Sequence, residues 1–206
     1  MPASKVPDIV VGRLPLYLRA LAEMTAEGKE ITSSQDLGER LGISSAQIRK
    51  DLSQFGEFGK QGTGYSVEYL STKLKEILHV DRIWPVILVG AGDLGRAVAG
   101  YGGFVNRGYR IAAVYDSDPE KIGRLAGKFT ILNSTNLEQD IQRNGYRVAM
   151  LTVPAAKAQA VTDVLVRAGV RAILCYAPTS VSVPPEVQVQ YIDPVLHLQR
   201  MTYYLK

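Results

Sequence analysis

The chain has 206 residues, of which 46% are hydrophobic and 21% are charged, and this composition is typical of a globular protein rather than a disordered one. No apolar run approaches the roughly 20 residues of a membrane helix, and no apolar signal core is found at the N-terminus. The sequence therefore predicts a cytoplasmic protein without a membrane partner. The net charge of +4 comes from residues 81–206, since residues 1–80 hold ten basic and ten acidic side chains. Charge alone thus gives little support for nucleic-acid binding.

The first part of the chain predicts two helices in succession. Apolar residues recur at helical spacing over 9–24, and Pro15 indicates either a kink or a start near Gly12. A second helix is predicted over 35–41, where Gly42 would end it.

A third helix follows at once, with the sequence features of a DNA recognition helix. It begins at Ser44–Gln47, where the serine and glutamine match the reciprocal capping pattern, and it continues to about Phe55. The short glycine turn before it gives the spacing of a helix-turn-helix motif. Its outward side offers basic and amide side chains suited to phosphates and base edges, namely Gln47, Arg49, Lys50, Ser53 and Gln54. A solvated polar face remains the alternative for this helix taken alone.

The stretch 56–65 shifts that balance towards nucleic-acid binding. It is punctuated by glycines and carries aromatic and basic residues, which predicts a β-hairpin wing. Lys60 in this wing would contact a phosphate beside the recognition helix. A further helix over 69–79 would close the domain, so residues 1–80 are predicted to form a winged-helix DNA-binding domain.

After a short linker at 80–85, the chain has the order strand, glycine turn, helix. The apolar run 86–89 ends in Gly90-x-Gly92-x-x-Gly95, and a helix is predicted over 93–104. In a dinucleotide site the first glycine permits the tight turn, and the second lets the backbone approach a pyrophosphate. The third lets helix and strand pack closely, with the helix N-terminus facing the phosphates. The alternative is a glycine turn that is only structural.

A second apolar run, 111–115, ends in Asp116, an acid that follows Gly95 by twenty-one residues. An acid at this place accepts hydrogen bonds from the adenosine ribose and disfavours a 2′-phosphate. The sequence therefore predicts a nucleotide site that prefers a free ribose hydroxyl.

Strands and helices alternate through the rest of the chain, as is typical of a doubly wound, mostly parallel sheet covered on both faces. An α/β Rossmann domain is therefore predicted over 85–193. The single cysteine, Cys175, lies in an apolar run and is expected to be a buried structural thiol. Strands are predicted at 86–90, 111–115, 129–132, 147–152, 171–176 and 187–192, and helices at 93–104, 136–143 and 155–168.

A last helix is predicted from Pro194 to about Leu205, with Asp193 as its cap. Because this helix is apolar and follows the completed sheet, it must pack on something. The sequence leaves two packing surfaces possible, the sheet of the same chain and a partner subunit.

Several motifs of the sequence closely resemble the Rex family of redox-sensing transcriptional repressors. The resemblance covers nearly the whole chain, and the joining of a winged helix to a Rossmann domain is itself distinctive. The motifs that carry it are 45–53, 55–60, Gly64-Tyr65, Gly90-Ala91-Gly92, Leu94-Gly95, 101–104, 151–154, Ala177-Pro178 and Ile192-Asp193.

This resemblance implies a transcriptional repressor that senses the NADH/NAD⁺ ratio and is not an enzyme. Rex-like proteins are homodimers that bind inverted-repeat operator DNA when NAD⁺ is high or cofactor is absent, and NADH binding releases them. The last helix, 194–206, is then expected to be exchanged with the dimer partner.

The resemblance also assigns roles in DNA binding and in switching. It implies that Gln47, Arg49 and Lys50 contact the operator, with Ser45 assisting. Tyr101 matches a tyrosine that the family links to closure around NADH. Asp193 matches an acid that switches partners between that tyrosine and an arginine of the winged-helix domain, and Arg19 lies where that arginine is expected.

The implied cofactor is NADH or NAD⁺, with the pyrophosphate on the three glycines and the ribose on Asp116. Two positions depart from the usual pattern. Asp93 lies where relatives more often carry a neutral or basic residue, and Cys175 lies where asparagine is common. The full expected site is Gly90, Ala91, Gly92, Asp93, Leu94, Gly95, Tyr101, Asp116, Thr152, Val153, Pro154, Ala177 and Pro178.

An NAD-dependent dehydrogenase is the main alternative, but only a helix follows the Rossmann unit, which leaves no substrate domain. His79 and His197 are not paired with an acid in a way that suggests hydride chemistry. A CoA-type nucleotide-binding module is the second alternative, and it does not account for the winged helix. Neither a catalytic residue nor a metal site is expected.

Overall fold

The computed structural model describes residues 6–59 and 63–205, which form two compact units, one up to Arg82 and the other from Ile83 onward. The division falls inside the stretch 80–85, where the sequence suggests a linker. Each unit has its own hydrophobic core. Within the described residues, no helix combines the length and the hydropathy that crossing a membrane requires.

The N-terminal unit is mainly helical, with one short antiparallel sheet. The interruption predicted near Gly12 is confirmed, because Pro15 lies in the first turn of the second helix, where a missing N–H costs nothing. Its described elements are α1 (Asp8–Val11), α2 (Leu14–Ala26), β1 (Ile31–Thr32), α3 (Ser34–Leu41), α4 (Ser45–Ser53), β2 (Tyr65–Ser66) and α5 (Val67–Ile77).

The core of this unit contains one stripe on each of α2, α4 and α5, together with Leu37 of α3. Tyr17 and Leu21 of α2 are fully buried, as are Ile48 of α4 and Leu74 of α5. These residues recur at three- and four-residue spacing, so each helix turns a single face inward. The opposite side of α4 therefore stays outside the core.

Helices α3 and α4 are joined by a turn in which Gly42 adopts a left-handed conformation, with φ of 66°. The predicted cap of α4 is half correct. The Ser44 side chain accepts a hydrogen bond from the Gln47 backbone N–H at 3.2 Å. The return bond is wrong, because the Gln47 side chain donates instead to Asp51 at 2.7 Å. The reciprocal pattern is found on α3, between Ser33 and Asp36.

Residues 60–62 of the hairpin predicted within 56–65 lie outside the described part of the chain, so that hairpin stays a prediction. Strand β2 begins only at Tyr65 and pairs antiparallel with β1, through Ile31 with Ser66 and Thr32 with Tyr65. Strand β2 is therefore paired with a strand that lies far from it in the sequence. Lys60 lies outside the described residues.

The C-terminal unit is an α/β domain in which seven strands form one sheet, in the order β5-β6-β4-β3-β7-β8-β9. All neighbouring strands are parallel except β5 and β6, which are antiparallel. Its elements are β3 (Trp84–Val89), α6 (Asp93–Gly100), β4 (Tyr109–Asp116), β5 (Leu125–Ala126), β6 (Phe129–Asn133), α7 (Leu137–Asn144), β7 (Val148–Leu151), α8 (Ala155–Ala168), β8 (Ala172–Cys175), β9 (Gln188–Tyr191) and α9 (Pro194–Thr202).

Strand β3 is central and carries a hydrophobic residue on each face in turn. Ile87 and Val89 join the core cluster that includes α7 and α8, whereas Val86 and Leu88 join the cluster that includes α6. A strand buried on both faces shows as a continuous apolar run, which confirms the doubly wound sheet. The strand order reverses at β3, because β4 and β6 lie on one side of it and β7, β8 and β9 on the other. Its carboxyl end therefore lies at the switch point where such folds bind ligands.

The clearest differences from the sequence-based prediction are two helix ends and one additional strand. Helix α6 ends at Gly100 rather than at 104, because Tyr101 is extended and Gly102–Arg107 form a 3₁₀ helix. The glycine-rich composition there lowers helix propensity. Strand β5 has two residues and was not predicted. Helix α9 ends at Thr202, and none of its side chains is buried.

Candidate functional site

Two glycines of the turn after β3 are required by close contacts within the protein. Gly90 has φ of 104°, and a Cβ there would lie 2.5 Å from the carbonyl oxygen of Thr152. A Cβ on Gly95 would overlap the carbonyl oxygen of Gly90. The Thr152 hydroxyl also donates to that oxygen at 2.7 Å. The ends of β3 and β7 and the first turn of α6 are thereby locked together.

Gly92 differs, because a Cβ there would meet no protein atom within 4 Å. Gly92 is the N-cap of α6, and no side chain caps the helix at this end. The first-turn N–H groups of a helix attract anions when they lack partners. A side chain at 92 would project into the space before these groups, so the turn fits a dinucleotide pyrophosphate.

Asp116 ends strand β4 beside this turn. Its Oδ2 accepts from the Ala91 N–H at 2.7 Å, its Oδ1 accepts from the Asp118 N–H at 2.9 Å, and Lys121 Nζ lies 3.5 Å from Oδ2. Burial alone would raise the pKa of Asp116, but the backbone hydrogen bonds and Lys121 outweigh it and hold the pKa below its ordinary value. The residue is therefore an ionised acceptor at neutral pH.

A cavity of about 630 Å³ opens at the carboxyl ends of the strands and brings many of the predicted residues together. Those of its lining residues that the sequence predicted are Gly90, Gly92, Asp93, Leu94, Asp116, Thr152, Val153 and Pro154. Other lining residues that sequence reasoning missed are Ser117, Asp118, Pro119, Lys121, Ser134 and Lys157. Their signal was available, since they follow the ends of β4, β6 and β7, where the ligands of such sheets bind.

The charged side chains that line this cavity differ in whether they form ion pairs. Asp93 is almost fully exposed, and its carboxylate contacts Arg96 on the next turn of α6 at 2.6 Å. Lys121 lies 3.4 Å from Asp118 as well as beside Asp116. Lys157, in the first turn of α8, forms no ion pair in the part of the chain that the structure describes. It is therefore the cation best placed to meet an anionic ligand.

The remaining predicted cofactor residues lie outside the lining of this cavity. Ala91 and Gly95 are buried behind the turn, and Ala177 is buried in the core, whereas Pro178 is exposed. Tyr101 lines a second cavity, of about 220 Å³, where its ring packs edge-on against Phe104 with centroids 5.1 Å apart.

Cys175 is fully buried next to Ala177, with its Sγ 3.8 Å from the Ala177 carbonyl oxygen. Burial raises the pKa of this thiol. The expectation of a buried structural thiol is confirmed.

The three predicted switch residues are not joined by hydrogen bonds within the described chain. Asp193 Oδ1 accepts from the Val195 N–H at 2.9 Å and so caps α9. Tyr101 is about half exposed. Arg19 belongs to the N-terminal unit, where no acid pairs with it among the described residues.

The predicted DNA-contacting residues that are described lie along the outer side of α4. Arg49 and Lys50 are exposed. Arg49 Nη1 donates to Ser34 Oγ on α3 at 2.9 Å, and the Ser53 hydroxyl donates to the Lys50 carbonyl at 2.8 Å. Ser45 is the first residue of the helix and partly exposed. Arg49 and Lys50 therefore give the outer side of α4 two exposed cations, side chains of the kind that contact DNA phosphates.

A buried polar cluster on the inner side of α4 was not predicted from the sequence. Asp51 is fully buried on α4 and accepts hydrogen bonds from Arg13, the N-cap residue of α2, from Tyr17 of α2 and from Gln47. The signal was indirect: Asp51 directly precedes the core residue Leu52, and Arg13 and Tyr17 are four residues apart on a single helix face.

Comparison with known proteins gives a consistent result for both units. Residues 5–53 match the family model described as "Putative DNA-binding protein N-terminus", and residues 81–179 match the one described as "CoA binding domain". The redox-sensing transcriptional repressor Rex of Chloroflexus aggregans is 53% identical over 203 residues, which is 98% of this chain and 96% of that protein.

Solved structures of similar proteins lead to the same family as the sequence matches. The crystal structure of RSP in complex with β-NAD⁺ and operator DNA has a TM-score of 0.92 and 35% identity, covering 98% of this chain and 93% of that one. RSP is a Rex-family repressor. Its complex with β-NADH has a TM-score of 0.89 and 33% identity, covering 98% and 95%.

Proposed function

This chain belongs to the Rex family of redox-sensing transcriptional repressors, and we propose that it represses transcription according to the NADH/NAD⁺ ratio. It binds inverted-repeat operator DNA through α4 and is released when NADH binds its C-terminal unit. It is a regulator and not an enzyme. Because its target is operator DNA, its place of action is the cytoplasm.

The observation that carries this proposal is the joining of two sites in one chain. The glycine turn, with an open space in front of Gly92 and an ionised Asp116 beside it, fits a dinucleotide with free ribose hydroxyls. The outer side of α4 presents Arg49 and Lys50 for phosphates and base edges. RSP, the solved relative, binds β-NAD⁺ together with operator DNA.

The functional form is a homodimer. All the large apolar side chains of α9 are exposed, so this helix is not covered by its own sheet. An exposed apolar helix face of this kind marks an interface, and we propose that α9 is exchanged with a second copy of the chain. Two α4 helices about 34–36 Å apart, or a multiple of that, would then reach successive major grooves of an inverted repeat.

Sensing requires that the two redox forms bind differently, since a ligand with equal affinity for two states shifts neither. The oxidised nicotinamide ring is charged and the reduced ring is neutral, so an apolar pocket penalises the oxidised form through desolvation. In the NADH-bound dimer, Tyr101 pairs with Asp193, Arg19 is released, and the winged helices change their angle. Operator binding is lost although every base-contacting side chain is intact.

A gel-shift experiment with a palindromic operator tests this function. NADH is expected to dissociate the complex, and NAD⁺ is expected to leave it intact. Equal effects of the two cofactors would contradict the sensor. The Asp193→Ala protein is expected to bind NADH with little change while its DNA complex responds poorly; an unchanged response would remove Asp193 from the switch.

CoA is the other ligand class that deserves a direct comparison, because residues 81–179 match a CoA-binding family model. CoA carries a phosphate on its ribose, which the ionised Asp116 would repel. Calorimetry is therefore expected to show NADH binding and no CoA binding at the same concentrations.

A further inference from the structure

The side chain of Tyr101 lies at a defined place outside the cofactor cavity. Tyr101 directly follows the last residue of α6, and it lines the second cavity, of about 220 Å³, together with Arg110 and Phe129. It is not among the described residues that line the cofactor cavity. A ring that is to close around a dinucleotide in the cofactor cavity must therefore leave this position.

Two residues of the 3₁₀ helix that follows, Gly102–Arg107, hold the ring in place. The ring of Phe104 meets it edge-on, with centroids 5.1 Å apart and ring planes at 85°. The second support is Gly103, because a Cβ on that glycine would overlap Cζ and the hydroxyl oxygen of Tyr101. The ring therefore lies directly against the backbone of Gly103, in a space that any side chain at 103 would fill.

This contact distinguishes Gly103 from the preceding glycine. A Cβ on Gly102 would meet no atom within 4 Å. Neither glycine has a positive φ, so the backbone accepts alanine at both positions. The atoms that a Cβ on Gly103 would meet belong to the end of the Tyr101 side chain, which is about half exposed. Alanine at 103 therefore displaces the Tyr101 ring and leaves the backbone where it is.

We propose that Gly103 and Phe104 are positioning residues that hold Tyr101 in a resting position, the one in which the chain binds operator DNA. The ring must leave this resting position before it closes around NADH. The strength of the contact therefore sets the NADH concentration at which the operator is released. The inference rests on the proposed function, because it takes closure of Tyr101 around NADH as given.

The size of the effect follows from the populations of the two ring positions. The apparent dissociation constant of a ligand is its intrinsic value divided by the fraction of protein in the binding-competent state. An edge-on aromatic pair changes an equilibrium constant by about twofold to tenfold. Weakening the resting position therefore raises the NADH-competent fraction, and the apparent affinity for NADH, by about that factor while the fraction is small.

Gly103→Ala is the first test, and Gly102→Ala is its matched control. Both add one methyl group to the same 3₁₀ helix, but only the first displaces Tyr101. Calorimetry is expected to show NADH binding about twofold to tenfold tighter in Gly103→Ala and unchanged in Gly102→Ala. In gel shifts, the NADH concentration that releases half of the operator complex should fall by the same factor. Unchanged or weaker NADH binding by Gly103→Ala would overturn the proposal.

Phe104→Leu tests the other support. Leucine keeps an apolar side chain at 104 but removes the edge-on ring contact, so NADH binding should tighten here as well. The effects of both variants should vanish in a Tyr101→Ala background, because no ring is left to displace. If Gly103→Ala still changed NADH affinity in that background, the alanine would act on the turn itself, and Tyr101 would have no part in its effect.

Fluorine NMR observes the ring directly. In protein labelled with 3-fluorotyrosine, the Tyr101 signal is the one that is missing from Tyr101→Phe. Without cofactor, this signal is expected to shift in Gly103→Ala and to stay in place in Gly102→Ala, and NADH should shift it in the wild type. A wild-type signal that NADH leaves in place would show that the ring does not leave its resting position, and this result would overturn the inference.

The same measurements separate this inference from the proposed function. If NADH does not release the wild-type operator complex, the proposed function fails. If NADH releases it but Gly103→Ala responds like the wild type, only the inference fails. Circular dichroism shows whether each variant is folded. If Gly103→Ala does not fold, Phe104→Leu and the fluorine signal of the wild type decide the question.

Discussion

The Asp116 carboxylate accepts a hydrogen bond from the Ala91 backbone N–H at 2.7 Å, which ties the end of β4 to the glycine turn after β3. The acid expected to hold the ribose and the turn expected to hold the pyrophosphate are therefore one rigid structure. Replacement of the acid should affect the choice of cofactor and not only its affinity.

Asp116→Asn is expected to weaken NADH binding about tenfold, because a charged acceptor of ribose hydroxyls is replaced by a neutral amide. It should also narrow the difference in affinity between NADH and NADPH, since the charge that repels a 2′-phosphate is gone. Calorimetry with both cofactors measures this. Asp163→Asn, on the exposed side of α8, is the control. A fixed NADH/NADPH ratio would count against the ribose role.

Gly92→Ala is expected to leave the fold intact and to lower NADH affinity at least about tenfold, because the new methyl projects to where the pyrophosphate approaches. A Cβ at 92 meets no protein atom within 4 Å, so the melting temperature should hold. Gly100→Ala meets no neighbour either and should change neither quantity. If both variants bind NADH like the wild type, the turn does not hold the pyrophosphate.

Lys157→Gln is expected to weaken binding of NADH and of ADP-ribose about threefold to tenfold, because an unpaired cation on the cavity wall is removed. Adenosine, which has no phosphate, should bind both proteins equally. The loss should shrink at high salt. Lys128→Gln, on the second cavity, is the control. A loss that is equal for adenosine and ADP-ribose would assign Lys157 another role.

Arg13→Met is expected to lower the local stability of the N-terminal unit by about 3 kcal/mol at neutral pH, because it leaves the Asp51 charge buried without its main partner. Hydrogen exchange of the α4 amides measures this. Arg40→Met breaks only the exposed ion pair with Glu27 and should lower the stability much less, because solvent screens that pair. A similar loss of stability in the two variants would show that the burial of Asp51 does not strengthen its ion pair with Arg13.

The ion pair between Asp51 and Arg13 also predicts that the stability of the N-terminal unit depends on pH. The folded-state pKa of Asp51 is lowered, so its charged form stabilises the fold above the ordinary aspartate value of about 3.9. This contribution to stability is lost as the pH falls from the ordinary aspartate pKa through the lower pKa that Asp51 has in the folded protein. The penalty of Arg13→Met should be largest at neutral pH and shrink in acid, where the carboxyl is neutral.

Leu198→Asp is expected to turn the dimer into a monomer without unfolding either unit, because no side chain of α9 is buried within its own chain. Sedimentation velocity measures the assembly, and circular dichroism measures the fold. Gln199→Asp, at a neighbouring polar position on the same helix, should remain dimeric. A dimeric Leu198→Asp protein would place the interface elsewhere.

The sequence by itself determined most of the architecture, because periodicity reports local burial. The stripe on α2, the apolar runs of β3 and β4 and the Gly90-x-Gly92-x-x-Gly95 turn each follow from spacing alone. Asp116 could be predicted as well, since its place after β4 is a feature of chain order. For the same reason the resemblance that gave the family could be recognised from short motifs.

Only the tertiary structure decided which residues meet across the chain. The partner of β2 is β1, which lies far from it in the sequence, and no local pattern encodes that choice. Lys157 reaches the cavity because β7 lies next to β3 in the sheet. The side-chain nitrogen of Gln47 is held by Asp51, whose charge is fixed by Arg13, 38 residues away. Hydrogen-bond polarity depends on partners distant in sequence, so it emerges only once the helices have packed.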